Sequence, residues 1–99
     1  MTVISLLTFQ FKAEVLDEAL VELSKVLSDT RKRPGCQGVE VVQDTKDATK
    51  VTAVERWATI EDDTAYRAWR AGEGKAVPGL STYLAGAPVL TINELRADL

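Results

Sequence analysis

Residues 3–11, VISLLTFQF, carry bulky apolar side chains on both sides of any strand they form, and this run restricts the fold more than any other stretch. Alternation puts Val3, Leu7, Phe9 and Phe11 on one face and Ile4 and Leu6 on the other. A strand that needs cover on both sides belongs inside a layered structure. With 99 residues the chain is long enough for one core, so one domain spanning 1–99 is expected. Its surface-to-volume ratio is high at that size, which makes a partner subunit an advantage.

The segment AEVLDEALVELSKVLSDTRKR repeats apolar residues at Val15/Leu16, Ala19/Leu20, Leu23 and Val26/Leu27, the spacing of an amphipathic helix, and Pro34-Gly35 ends it. The RKR at 31–33 falls in the last turn, where cations meet the negative end of the helix dipole. CQGVEVVQD and KVTAVERWA read as two strands of a hairpin across the polar loop TKDAT. Thr59, followed three positions later by Asp62, fits a capping box, and Glu61, Asp62 and Asp63 put negative charge in the first turn of a second helix. At about 100° per residue, Asp62, Ala65, Tyr66 and Trp69 share the inward face. Asp63, Arg67 and Arg70 then face away, with Asp63 and Arg67 paired at i,i+4. GEG at 72–74 and VPG at 77–79 break the chain, a helical turn is expected around 80–84, and PVLTINEL at 88–95 supplies a last strand.

This order, β-α-β-β-α-β, predicts an α+β, ferredoxin-like antiparallel sheet with both helices on one face. The other face is bare in a single copy. The first and last strands are nevertheless apolar on both sides, with Leu90 and Ile92 against Val89 and Leu95, so a homodimer through the open sheet face is expected.

Composition removes several functions. There are 12 basic and 15 acidic residues, a net charge of -3 and no basic stripe, which argues against nucleic acid as a partner. No apolar run approaches the length of a membrane span, and MTVISLLTFQ lacks the charged start and small-residue cleavage site of a secretory signal, so a cytoplasmic protein with no membrane partner is expected. Cys36 is the lone cysteine, read as a small buried hydrophobe. The chain has no histidine, so the usual zinc, copper and haem-histidine sites cannot be built from it.

The order of elements, the link RPGCQGVEVVQD from first helix to second strand and the passage VERWATIEDDTAYRAW from third strand to second helix resemble the antibiotic biosynthesis monooxygenase family of dimeric α/β barrels. The resemblance covers nearly the whole chain. It implies a small oxygenase, acting on a polyketide- or quinol-like aromatic with dioxygen and no cofactor. Polyketide-oxidising members use a tryptophan near the end of the third strand and a tyrosine on the next helix, positions filled here by Trp57 and Tyr66. Their asparagine falls at Ala53, Trp69 resembles the helix tryptophan of haem-degrading members, and WRAGEG stands where quinol-type members carry histidines.

A cofactor-free oxygenase has to bind a flat ring, keep water from it and help remove a proton. Trp57, Tyr66 and Trp69 suit the first task, and Tyr66 and Trp69 are expected to face a cavity between second helix and sheet. Glu55, on the same strand face as Trp57, is a candidate base or an exposed strand glutamate. Asn93 can lend an amide to the pocket or pair at a strand edge. Two functions stand side by side: an oxygenase with Glu55, Trp57 and Tyr66 as catalytic residues and Trp69 and Asn93 binding substrate, or a dimeric binding or structural protein without chemistry. Glu55, Tyr66 and Asn93 in one enclosed cavity would favour the first; a cavity filled by Trp57 and Trp69 would favour the second.

Overall fold

A computed structural model describes residues 1–76 and 79–99. Of the chain break expected at 77–79, residues 77 and 78 therefore lie outside the described residues. The elements follow in the expected order as β1 (Val3–Gln10), α1 (Leu16–Arg31), β2 (Cys36–Gln43), β3 (Lys50–Trp57), α2 (Ile60–Ala71) and β4 (Val89–Glu94), with 3-10 turns at Ala13–Val15 and Ser81–Tyr83. The sheet is antiparallel in the order β2-β3-β1-β4. The first and third strands thus lie inside the sheet, with β2 and β4 at its edges, and the architecture is ferredoxin-like.

Two boundaries shift for local reasons. The first helix tightens into a 3-10 turn before α1 starts at Leu16, and Phe11 leaves the ladder of β1 to bridge Leu84. Gly35 adopts φ +80° between α1 and β2. A side chain there would also overlap Asp62, so this turn brings the start of β2 close against the start of α2. Thr59 caps α2, its hydroxyl accepting from the Asp62 amide at 3.1 Å.

Register decides which side chains meet. Val3, Ser5, Leu7 and Phe9 share the helix-bearing face with Val51, Ala53, Glu55 and Trp57, because Ser5 pairs with Glu55 and Val3 with Trp57. Against this face Phe9, Phe11, Val39, Val51 and Ala53 close a core with Ala19, Leu23 and Leu27 of α1. A second, smaller cluster joins Val3, Trp57 and Tyr66, with Cys36, Ile60 and Trp69 packed around it. The opposite face presents Ile4, Leu6 and Val54 between more exposed Val42 and Val89, and no helix covers it. Every residue of β4 is exposed.

Candidate functional site

Beneath α2 the helix-bearing face turns polar. Ser5, Glu55 and Asp63 have no exposed surface, and they are joined through one arginine. Nη2 of Arg67 donates to Oε1 of Glu55 at 2.6 Å and to Oδ1 of Asp63 at 2.9 Å. The Ser5 hydroxyl donates to the same Asp63 oxygen at 2.7 Å, and Nε1 of Trp57 donates to Oε1 of Glu55 at 3.2 Å. Each carboxylate therefore has one oxygen with two donors. Its other oxygen, Oε2 of Glu55 and Oδ2 of Asp63, is buried without a hydrogen-bond partner among the described residues. Buried charge is costly unless paired, and here two acid groups share one guanidinium.

This arrangement corrects two expectations. Glu55 is not an exposed strand glutamate; it lies inside, its Oε1 accepting from the Trp57 indole N–H. Asp63 does not face away with Arg70: it is 0% exposed, whereas Ala65, placed on the inward face by angle alone, is exposed. The i,i+4 pairing of Asp63 with Arg67 is present. What the helical pattern missed is that the strip of α2 meeting the sheet runs through Asp63 and Tyr66, and that Ser5 and Glu55 offer polar partners there. The visible signal was Ser5 itself, a small polar residue in the middle of an otherwise apolar strand face.

An aromatic row stands beside the polar cluster. The rings of Trp57 and Tyr66 are 4.8 Å apart and those of Tyr66 and Trp69 6.2 Å apart, both tilted. Arg33 lies 3.9 Å over the Trp69 ring, and Arg67 and Arg70 lie 4.9 and 5.4 Å from the Tyr66 ring. The Tyr66 hydroxyl receives a bond from Nε of Arg70 at 2.9 Å and bonds Oγ1 of Thr30 at 2.7 Å, while Arg70 also reaches the carbonyls of Val26 and Gly74. The hydroxyl thus ties α2 to the end of α1.

No described cavity between α2 and the sheet is lined by Tyr66 and Trp69, contrary to expectation. Tyr66 instead borders a cavity of about 60 Å³ on the outer side, with Arg33, Pro34, Asp62 and Ala65. A pocket for a drug-sized ligand spans about 300–1,000 Å³. Nor does Asn93 join the other candidates. It pairs with Ile4 on the opposite face, exposed, with Nδ2 donating to the Ile4 carbonyl at 3.2 Å, the edge pairing allowed for above. What adjoins the polar cluster on its own face is an apolar strip on the β4 edge, where Leu90 pairs with Leu7 and Ile92 with Ser5. Leu90 and Ile92 are 38% and 44% exposed, so this strip is half open.

Fold and cluster together define a ferredoxin-like α+β protein with an acid pair buried between one helix and the sheet and an aromatic row beside it. The chain belongs to the antibiotic biosynthesis monooxygenase family, whose model matches residues 2–74. No curated protein matches the sequence. Among solved structures, a conserved protein from Methanosarcina mazei superimposes with a TM-score of 0.81 at 21% identity, covering 97% of this chain and 94% of its own. A crystal structure of an antibiotic biosynthesis monooxygenase gives 0.78 at 19% identity, with 95% and 98% covered. SnoaB, a cofactor-independent oxygenase from Streptomyces nogalater, gives 0.80 at 12% identity, with 96% and 93% covered. At such identities the likeness establishes the fold. Among the described residues no helix is long and apolar enough to cross a membrane, and no group of three His, Cys, Asp or Glu side chains is placed to hold a metal.

Proposed function

We propose that the protein is a monooxygenase that oxidises an electron-rich aromatic compound, polyketide- or quinol-like, with dioxygen and without metal, haem or flavin. Glu55 carries this reading: a fully buried carboxylate, held at one oxygen by Arg67 and the Trp57 indole N–H and without a partner among the described residues at the other. Such a group is a suitable base for a phenolic or benzylic proton in a site that excludes water. The deprotonated substrate passes an electron to dioxygen, and the radical pair recombines with formation of a C–O bond. For an anthrone, the ring CH2 becomes C=O and the second oxygen atom leaves as water, so the substrate supplies every electron. Family membership and the likeness to a cofactor-independent oxygenase support this reading.

The substrate ring would lie on the strip of Leu7, Leu90 and Ile92, about 10 Å or two strand spacings from the Glu55 backbone. Trp57 and Tyr66 wall the site, and Tyr66 acts through its ring because its hydroxyl is held by Thr30 and Arg70. Trp69 supports Tyr66 from the far side. A second copy of the chain covers the open sheet face, where Ile4, Leu6, Val42, Val54 and Val89 form the apolar centre, and Asn93 belongs to that interface. The reading assigns the dimer to the cytoplasm. Sedimentation at micromolar concentration checks the assembly, with a monomer as the contrary result.

A second reading has its own observation. The aromatic row is closed, and the cavity beside Tyr66 is too small for a ring system, as in a binding or structural protein. Oxygen consumption by metal-free protein against a panel of hydroquinones and anthrones separates the two. Uptake that disappears in Glu55→Gln establishes the oxygenase. Quenching of tryptophan fluorescence by the same compounds without uptake establishes the binder.

A further inference from the structure

Arg67 is the one member of the polar cluster that reaches solvent: its side chain is 24% exposed, against 1% for Glu55 and 0% for Asp63. Its guanidinium touches three neighbours. Nη2 bonds both carboxylates, and the guanidinium carbon lies 4.9 Å from the centre of the Tyr66 ring. We propose that Arg67 is the positioning residue of the site, fixing Glu55 so that Oε1 is held by the fold and Oε2 is left as the oxygen without a protein partner.

The argument rests on how the bonds are shared. Oε1 of Glu55 is gripped from two elements, by Arg67 of α2 and by Trp57 of β3, so the carboxylate cannot rotate without breaking both bonds. Arg67 is itself held in place by Asp63, whose Oδ1 is fixed by Ser5 of β1. The chain Ser5–Asp63–Arg67–Glu55–Trp57 therefore runs from one central strand to the other by way of the helix. One oxygen of each acid, and Nε of Arg67, stay buried without a hydrogen-bond partner among the described residues, and such unmatched buried groups call for an explanation beyond packing. A planar guanidinium 4.9 Å from the Tyr66 ring centre holds this geometry, which a flexible ammonium does not reproduce.

The proposal rests on the reading of Glu55 as base, but it has a readout that does not depend on turnover. The chain has two tryptophans, Trp57 and Trp69, hence two indole N–H resonances, and only that of Trp57 bonds Glu55. In Arg67→Met the Trp57 resonance should move and exchange faster with water, while that of Trp69 stays near its original position. On the most active compound of the panel, kcat should fall by about 10²-fold with KM nearly unchanged. Arg67→Lys should restore part of both effects, and Asp63→Asn should show them in weaker form. If Arg67→Met does not fold, Arg67→Lys and Asp63→Asn decide by the same two readouts. An unmoved Trp57 resonance in these variants overturns the proposal, even where kcat falls. If the wild type consumes no oxygen with any compound, the oxygenase reading fails, and the Trp57 resonance still decides whether Arg67 positions Glu55.

Discussion

Thr30 and Tyr66 join their hydroxyls at 2.7 Å across the two helices, and both residues are buried. The phenol of Tyr66 is thereby a structural tie as well as part of the site wall. Tyr66→Phe leaves Nε of Arg70 and the Thr30 hydroxyl each short of one partner. The expected cost is about 1–2 kcal/mol, read as a lower midpoint in urea, with the Trp57 environment unchanged in near-ultraviolet dichroism.

Asp63 is predicted to matter more than its two acidic neighbours. Asp63→Ala removes an acceptor of both Ser5 and Arg67 and should destabilise by about 2–3 kcal/mol, less than a full buried pair because Arg67 keeps Glu55. Glu61→Ala, on the exposed side of the same turn, should stay within about 0.5 kcal/mol. Equal effects in the two variants would contradict the burial of Asp63.

That contrast marks the limit of what the sequence could tell. Strand and helix order, the Thr59 cap and the two-sided β1 followed from local patterns, periodicity for the elements and a capping-box spacing for the cap. The inward turn of Asp63 was not legible. A helical wheel assigns polar residues to water by default, and only the placement of Ser5 and Glu55 beneath α2 makes an acid acceptable there. The face assigned to Asn93 hangs on register with Ile4, a pairing between residues 89 positions apart. The aromatic row was legible as a grouping, but not as a filled one, since Arg33, Arg67 and Arg70, which lie against its rings, read as solvent-facing charges in the sequence.

Gly74 sets the position of the Trp69 ring. A methyl group on its Cα would overlap the indole carbons, whereas Gly86 has open space around it. Gly74→Ala should displace Trp69 from Arg33, shift its fluorescence and cost about 1–3 kcal/mol; Gly86→Ala should do neither.

The β2–β3 loop has its own dependence on pH. Hydrogen bonds from the Thr49 hydroxyl and amide hold the Asp47 carboxyl below its ordinary value of 3.8. A depressed value means that the ionised form stabilises the loop. Its contribution is complete above pH 3.8 and fades as the pH falls through the lower, folded value. The Thr49 amide shift should hold constant from neutral pH to about 4 and move only below it. Asp47→Asn should abolish that movement.

The exposure of all six residues of β4 gives the sheet an uneven security. Its three other strands are pinned by side chains under the helices; this one is attached to β1 by its backbone ladder and the Asn93 amide on the Ile4 carbonyl. The cost of peeling it away is therefore set by whatever lies against it, and in the proposed dimer that is another molecule. Amide protons of residues 89–94 would then exchange more slowly as protein concentration rises, while those of β3 hold a constant rate. Association would act as the last step of folding for the strand that carries Leu90 and Ile92, the proposed seat of the substrate.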